Sequence, residues 1–583
     1  MASTVAGTLI TRNYNRFKGV DFTNRKDEVS LNRSPDSLNM WKNYKSNNGR
    51  CIETRPDLVL HKEYEDTIFG HFFYEYNGKA HEIVHSGTKL YDDGNAISLT
   101  TYTHTNEGQM SSMTDMFMAE QKSTMFVYND KLYIIDGTQY LEYDGTECKP
   151  AEGFIPTTTI GKQPTGGGTK YQDVNYLTGM RKNSFVADGE SVEYVLDVET
   201  FDNDSPIRVW VNGIEMLDGF TAKPTEGKVV FVVAPSEPNT IGQDNVIIQF
   251  RRTVEGYRDR IDKCTFLEVF DNRVFFSGNP NYPHVVFHSS LDDPTYFSDL
   301  DYYEEGTSDS KVKSIVAGNN ALWVFKEPSQ ANTTVFYHNP TIDDDYGKVY
   351  PSTHSSISIG CEATGINFND DIVFFSNRGM EAISGDVTTE QLLSHRSSLI
   401  DNKLLNENNY KNLLLAEYEG YLMVFIDNKV YLADSRTITS NFLEYEWYYW
   451  ELNKNISSAL VKDGVLYLCS ENSIYTLTND NEEREVESYW TTLQDEFGYP
   501  HYQKTTNKRG CVADVNGKEV TIYVKTDNNK FEKIDKYKIK NDYIVSRIKK
   551  KKWKSIQLKF YSTKVFSLYS CTLECYAGSY VKR

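Results

Sequence analysis

A β-hairpin pattern that recurs along the first 480 residues constrains the fold most strongly. Runs of alternating apolar residues flank turn dipeptides such as Asn77-Gly78, Asn129-Asp130 and Asp463-Gly464, which favour tight hairpin turns. From Asn272 onward the turns follow at intervals of 48, 51, 49 and 44 residues, and Asn77 and Asn129 are 52 apart. A four-stranded blade occupies roughly 40–50 residues. The pattern therefore predicts an all-β fold, a β-propeller of about six to eight blades.

One interval does not fit this period, and it predicts an inserted domain. From Asn129 to Asn272 the spacing is 143 residues. Residues 169–253 contain further alternating runs around a strong turn at Asn212-Gly213, which predicts an inserted β-sandwich. We expect a strap over residues 1–60, the propeller over 61–168 and 254–485, and a C-terminal β domain over 486–583. A hairpin turn at Asn516-Gly517 is expected in that last domain.

The charge distribution separates the C-terminal domain from the rest. The chain carries 62 Lys and Arg against 82 Asp and Glu, a net charge of −20. Residues 501–583 carry 20 basic and 7 acidic residues (+13), whereas residues 1–500 carry 42 and 75 (−33). An acidic chain of this kind is not a conventional nucleic-acid or anionic-membrane binder, because phosphate groups repel it. The asymmetry predicts a separate basic module.

The densest basic segment is a candidate partner-contact patch. It consists of Lys549, Lys550, Lys551, Lys552, Trp553 and Lys554. Lysines at a strand edge can protect it against aggregation by strand pairing. They can also dock onto an acidic partner, and we place an acidic protein surface ahead of DNA. The sequence leaves edge protection and docking open.

No motif in the chain predicts catalysis or a cofactor. A Gly-rich phosphate loop, His-Glu-x-x-His and Gly-x-Ser-x-Gly are all missing from the sequence, so we expect a protein that is not an enzyme. His81 and His85 share a strand face and could hold a metal, but solvated histidines are the favoured interpretation. The stretches 343–345 and 479–483 could bind calcium, but they lack the spaced oxygen ligands of a known loop. We therefore expect no metal.

The eight cysteines and the apolar runs indicate where the chain is made. The cysteines are scattered singly apart from Cys571 and Cys575, which is neither a disulfide framework nor a zinc pattern. We interpret that pair as buried small side chains on one strand face. No run approaches 18 apolar residues, and the first residues lack a secretory pattern. The expectation is folding in a reducing host cytoplasm, with no membrane contact.

Two segments carry a resemblance to a known family. The stretch Phe17–Leu58 contains SPDSLNM followed by a glycine and ETRPDL, and it resembles the start of virion proteins of tailed bacteriophages. Asn272–Asp299 is similar to a recurrent blade stretch of the same family. That family includes the propeller-shaped packaged-DNA stabilisation and tail-hub proteins of short-tailed phages. The resemblance covers roughly residues 10–480.

The resemblance implies a structural role in the virion. Such a protein would form a ring or hub at the neck or tail, a head–tail connector of six or twelve copies. It would contact the portal or adaptor ring and tail proteins, while duplex DNA passes through the lumen without specific binding. An acidic wall suits DNA ejection because a basic wall would hold the duplex. The alternative is a receptor- or carbohydrate-binding propeller at the tail tip. Whether the strap Arg12–Pro56 lies on its own subunit or reaches a neighbour stays open.

Overall fold

The chain is all-β and of β-propeller type, so the predicted fold class is confirmed. The computed structural model describes residues 8–47, 49–104, 110–329, 333–343, 347–384, 392–436, 444–479, 484–539 and 543–580. The two calcium candidates, 343–345 and 479–483, lie mostly outside these residues. The chain divides into two compact units. Unit 1 combines Met1–Thr67 with Cys361–Arg583, and unit 2 is Ile68–Gly360.

Unit 2 contains four antiparallel four-stranded sheets whose strands, apart from one added hairpin, neighbour each other in chain order. Their strands are Ile68–Tyr76, Lys79–Ser86, Lys89–Asp92 and Asn95–Ile97; Thr124–Tyr128, Lys131–Ile135, Tyr140–Tyr143 and Cys148–Pro150; Phe266–Phe270, Arg273–Ser277, Val285–His288 and Tyr302–Glu304; and Val312–Gly318, Ala321–Lys326, Val335–His338 and Ser352–His354. Two short hairpins, Thr100–His104 with Met110–Asp115 and Thr341–Asp343 with Gly347–Val349, accompany them. One apolar cluster joins each sheet to the next. The inner strand Ala321–Lys326 is buried along its whole length.

The predicted insertion folds as two sheets around one apolar core. Their strands, in spatial order, are Thr169–Lys170, Thr157–Lys162, Met180–Phe185, Val246–Arg251, Arg208–Val211 and Ile214–Met216 in one sheet, and Glu193–Val195, Lys228–Phe231 and Phe220–Lys223 in the other. A 3₁₀ turn, Pro224–Glu226, completes the region, and the short helix Asp259–Asp262 follows it and packs through Ile261 into a cluster of the four-stranded sheets. Residues 157–162 were predicted to lie in the propeller, but they pair inside the first sheet. The insertion therefore begins before residue 169.

Unit 1 contains three further four-stranded sheets. They comprise Gly365–Phe368, Asp371–Ser376, Gly379–Ser384 and Leu392–His395; Leu414–Tyr418, Tyr421–Ile426, Lys429–Asp434 and Glu446–Glu451; and Ser458–Lys462, Val465–Ser470 and Ser473–Thr478, with Asp57–Glu63. The short helices Tyr44–Asn47 and Asp401–Leu404 and the 3₁₀ turn Tyr410–Asn412 lie in this unit. The last sheet thus takes its outer strand from the N-terminal part of the chain.

The C-terminal strands do not form a separate domain. The sheet ending in Glu446–Glu451 continues through Met40–Trp41, Ile52–Thr54, Phe566–Tyr580, Tyr502–Gly517 and Tyr543–Ser546, and Thr8–Tyr14 and Lys551–Trp553 pair beside this path. A second sheet contains Ser37–Leu38, Glu485–Thr491, Ile556–Lys564, Glu519–Thr526 and Glu532–Lys538. Both sheets share one core that also includes residues of the strap. N-terminal and C-terminal strands are therefore parts of one folded body.

Four of the five predicted turns form as predicted. Both central residues have positive φ at Asn77-Gly78, Asn129-Asp130, Asn212-Gly213 and Asp463-Gly464, as a type I′ hairpin turn requires. In each case the flanking strands pair with each other. These residues are structural, as expected.

The fifth predicted turn, Asn516-Gly517, is wrong. Tyr502–Gly517 pairs with Phe566–Tyr580, whereas Glu519–Thr526 pairs with strands of the other sheet. The dipeptide therefore sits where the chain crosses from one sheet to the other. Gly517 has φ 121°, and a Cβ atom there would lie 2.4 Å from the carbonyl oxygen of Val565. The glycine is required by this close approach and not by a hairpin.

The strap is fixed onto unit 1 of its own chain. Asn39 has φ 56°, and its side-chain oxygen accepts hydrogen bonds from Arg55 Nε at 3.0 Å and the Glu451 amide at 2.8 Å. Its amide group donates to the Glu487 carbonyl at 2.8 Å. Arg55 is buried and also donates to the Glu451 carbonyl. The residues that carry the family resemblance therefore hold the strap against the strands of unit 1.

A charged cluster joins the last strand of one sheet to a helix. His395 Nε2 lies 2.6 Å from Asp401 Oδ2, and His395 Nδ1 lies 3.1 Å from Glu381 Oε1. The hydrogen bonds to Asp401 and Glu381 raise the pKa of His395 to about 9, against the opposing effect of burial. The imidazolium therefore links two carboxylates at neutral pH.

This cluster predicts a pH-dependent contribution to stability. Because the pKa in the folded state exceeds the ordinary value of 6.5, protonated His395 stabilises the fold fully below pH 6.5, and the contribution is lost as pH rises through about 9. His395→Gln should therefore lower the free energy of unfolding at pH 6 and have little effect at pH 10. Urea unfolding across this range measures the difference, with the exposed His501→Gln as control. A difference that grows with pH would contradict the assignment.

Because the chain crosses between sheets at Gly517, we expect that adding a methyl group at this position lowers the free energy of unfolding strongly. Gly517→Ala adds strain at φ 121° and a clash with the strand at Val565, so we expect a loss of about 2–4 kcal/mol. Gly464→Ala is the matched control, because it has φ 76° and open space around it, with an expected cost of about 1 kcal/mol. Chemical denaturation measures both. Equal losses would indicate that the crossover is not tight.

Candidate docking surface

The lysine segment forms an exposed edge of the large sheet in unit 1. Lys549, Lys551, Lys552 and Lys554 are exposed, and Lys550 is half-buried. Lys550 Nζ lies 2.5 Å from Glu532 Oε2. The strand Lys551–Trp553 pairs with Tyr502–Gly517 on one side. This exposed position at a sheet edge is compatible with both predicted roles, edge protection and docking.

A bulge explains why neighbouring lysines are exposed together. Lys504 pairs with Trp553 and Thr505 with Lys551, so Lys552 has no partner in the register. Lys552 adopts φ 57°, which is typical of a bulged residue. Without this bulge, alternation would place Lys551 and Lys552 on opposite faces.

Further exposed cations, which were not predicted as contact residues, adjoin the lysine segment. The register of Tyr502–Gly517 shifts between Thr506 and Cys511, and this irregular part exposes Lys508 and Arg509. Arg547 is exposed next to them on the neighbouring chain segment. We call the exposed cations Lys508, Arg509, Arg547, Lys549, Lys551, Lys552 and Lys554 the basic edge. The adjacent cations Lys508 and Arg509, within a segment of strand pattern, could have indicated this larger basic surface from the sequence alone.

Trp553 does not belong to this surface, so its place in the predicted contact patch is wrong. Its side chain is 1% exposed and lies in the core of unit 1. The ring packs edge-on against Phe497, with 5.8 Å between centroids. The bulge at Lys552 turns the indole inward, and burial of a large aromatic side chain outweighs its use as a contact.

A buried lysine supports the edge from behind. Lys504 Nζ lies 5.6 Å from the centre of the Trp553 ring. It donates to the carbonyl oxygens of Tyr499 and Lys554 at 2.7 Å and to that of Tyr502 at 3.2 Å. Burial lowers the pKa of Lys504. Three carbonyl acceptors offset the cost of burying the ammonium and fix the backbone on both sides of the edge.

Asp495 connects the N-terminal strand to this structure. Its carboxylate accepts hydrogen bonds from Arg12 Nε at 2.8 Å, the Tyr14 hydroxyl at 3.0 Å and the Phe497 amide at 2.6 Å. Burial and the neighbouring carboxylate raise the pKa of Tyr14 well above its usual value. The Asp495 backbone also pairs with Ile556 in both directions. Asp495 thus holds the N-terminal strand through its carboxylate and Ile556 through its backbone.

The histidine pair considered for a metal is not brought together. His85 is buried and lies 3.0 Å from both the Ser123 hydroxyl and the Gly87 carbonyl. His81 instead lies 2.9 Å from Asp92 Oδ1. A neighbouring carboxylate, Asp93, is already paired with Lys79. The cluster of His81 with the two aspartates is therefore a hydrogen-bonded charge network.

The cysteine interpretation is confirmed for the terminal pair. Cys571 and Cys575 are both buried in the core of unit 1, and all eight cysteines are free. Burial raises the pKa of Cys575 to about 12.

Across the described ranges, no helix is both long and apolar enough to span a bilayer.

Comparison with known proteins assigns no family. No protein-family model matches the chain, and no curated protein matches it. Among solved structures, BamB from Moraxella catarrhalis aligns over 74% of this chain and 98% of its own at 10% identity and a TM-score of 0.32. An exo-beta-1,3-galactanase from Phanerochaete chrysosporium aligns over 53% and 94% at 8% identity and a TM-score of 0.21. The AfRom2 CNH domain aligns over 52% and 96% at 11% identity and a TM-score of 0.24. At such TM-scores these likenesses, the galactanase included, assign neither catalysis nor a partner.

The buried position of Trp553 yields a direct prediction. Trp553→Ala should lower the free energy of unfolding by about 3–5 kcal/mol, because it leaves a cavity beside Phe497 and Lys504. Lys551→Gln, two residues away, should change it by less than about 0.5 kcal/mol. Chemical denaturation followed by tryptophan fluorescence measures both variants. A near-neutral Trp553→Ala would place the indole on the surface instead.

Proposed function

We propose that the chain is a structural component of a tailed-phage particle. In this proposal it forms a ring or hub at the neck or tail that extends or seals the DNA conduit below the portal. It helps retain the packaged genome and then releases it. The role requires no catalysis and no cofactor.

The observation that carries this proposal is the separation of charge. Residues 1–500 carry a net charge of −33, whereas the basic edge gathers seven exposed cations on one sheet edge. Opposite surfaces of this kind steer and orient association. A head-to-tail contact between copies generates a closed ring when its rotation closes. The resemblance of residues 17–58 to phage virion proteins supports the same role.

The acidic remainder suits a conduit for DNA. A wall of net negative charge does not retain duplex DNA through counterion release, whereas a basic wall would. The proposed partners are therefore the portal or adaptor ring, tail proteins and further copies of this chain. Duplex DNA passes without specific binding, and the proposed location is the virion after synthesis in the host cytoplasm.

Neutralising the basic edge tests the proposal. The combined variant Lys549→Gln, Lys551→Gln, Lys552→Gln and Lys554→Gln should shift native mass spectra from rings of six or twelve copies to monomers. The matched control carries Lys170→Gln, Lys223→Gln, Lys311→Gln and Lys348→Gln, the same charge change at exposed lysines of unit 2. Rings that persist in the first variant would contradict docking through the basic edge.

The position of the chain in the virion distinguishes the proposed ring from the tail-tip alternative. Cryo-electron microscopy of virions that contain the chain should place it in a closed ring around the conduit at the neck. Trimers at the distal end of the tail, together with binding to host cell-wall polysaccharide, would favour the receptor-binding alternative.

A further inference from the structure

An open cleft of about 630 Å³ lies within unit 1, beside the helix Asp401–Leu404. Phe22, Lys26 and Asp36 of the strap line it together with Lys403 and Glu407. The volume falls in the range of small-molecule sites. Polar and charged side chains dominate its lining, which indicates a polar ligand.

Lys403 contributes a cation without a counter-ion. Its Nζ lies 3.3 Å from the centre of the Tyr449 ring and 4.7 Å from that of Phe22. Within the described parts of the chain, the Lys403 ammonium forms neither a hydrogen bond nor an ion pair, and only its backbone is hydrogen-bonded. Burial lowers its pKa, although Glu451, Glu407 and Asp36 favour the charged form from a distance. An ammonium held on two aromatic rings is attracted by their faces, and its N–H groups remain available to an anion.

The carboxylates of the cleft are already engaged. Glu407 is paired with Lys429 and accepts a hydrogen bond from the Tyr431 hydroxyl at 2.7 Å. Asp36 Oδ1 accepts one from the Tyr489 hydroxyl at 3.0 Å. Lys26 is exposed and forms no ion pair with any described residue. Three cations, Lys26, Lys403 and Lys429, therefore line the cleft with two carboxylates, Asp36 and Glu407, and this excess of positive charge favours an anionic ligand.

Hydrogen-bond acceptors lie beside these cations. The Asn406 amide donates to the Asn402 carbonyl at 2.6 Å, and the Asn402 amide donates to the Phe22 carbonyl at 3.5 Å. These bonds use the amide nitrogens and leave both side-chain oxygens as acceptors. With Asp36 Oδ2 they can receive hydroxyl groups of a ligand.

We propose that this cleft binds an anionic saccharide, a sugar that carries a phosphate or a carboxylate. The anion lies on Lys403 and Lys26, and sugar hydroxyls donate to Asn402, Asn406 and Asp36. The proposal is independent of where the chain sits in a particle, because it concerns residues of unit 1 alone.

Isothermal titration of the full chain tests the cleft. The probes are glucose 6-phosphate, glucuronate, glucose and inorganic phosphate, and the two anionic sugars distinguish the phosphate from the carboxylate. One of them should bind saturably and at least tenfold more tightly than glucose or inorganic phosphate. Lys403→Met should weaken that binding at least tenfold, and Lys26→Gln should weaken it severalfold.

The control is Lys454→Met, since Lys454 also lies over a tyrosine ring, that of Tyr475 at 5.6 Å, but outside the cleft. It should leave binding unchanged, and circular dichroism checks that all variants are folded. Equal binding of glucose, equal binding of inorganic phosphate, or unchanged binding in a folded Lys403→Met variant would each overturn the proposal. Tighter binding of a duplex oligonucleotide than of either sugar would overturn it as well.

Discussion

The pairing of the two ends of the chain is the constraint on which unit 1 depends. Thr8–Tyr14 pairs along Phe566–Tyr580, and Asp57–Glu63 completes the last four-stranded sheet. Asp495 fixes this arrangement by binding both Arg12 and Tyr14. Buried carboxylates of this kind are costly unless every lone pair finds a donor. Here the donors come from distant parts of the sequence, so the contacts form only when both ends are in place.

This constraint also explains the presentation of the basic edge. Seven cations in one region repel one another, and flexible lysines on a mobile loop would lose much side-chain entropy on docking. The bulge at Lys552, the buried indole of Trp553 and the three carbonyls around Lys504 fix the backbone beneath them. The backbone beneath the basic edge is therefore fixed within the fold itself. The same strap that closes the sheets also lines the cleft beside Lys403 through Phe22 and Asp36.

Local signals in the sequence predicted local structure well. Asn77-Gly78 and Asp463-Gly464 formed the expected turns because their preference for positive φ agrees with the pairing of the strands beside them. Asn516-Gly517 has the same preference, but pairing with Phe566–Tyr580 prevailed over it. Trp553 was misplaced because strict alternation cannot show a bulge. Lys403 gave no signal, since its aromatic neighbours Phe22 and Tyr449 are distant in sequence.

If the basic edge belongs to a scaffold that Asp495 fixes, loss of the Asp495 charge should loosen the N-terminal strand and the edge together, which hydrogen–deuterium exchange can measure. In Asp495→Asn, we expect faster amide exchange in both Thr8–Tyr14 and Lys551–Trp553. Exchange in Tyr421–Ile426, a buried strand without contact to Asp495, should stay unchanged. Faster exchange confined to Thr8–Tyr14, with Lys551–Trp553 still protected, would contradict it.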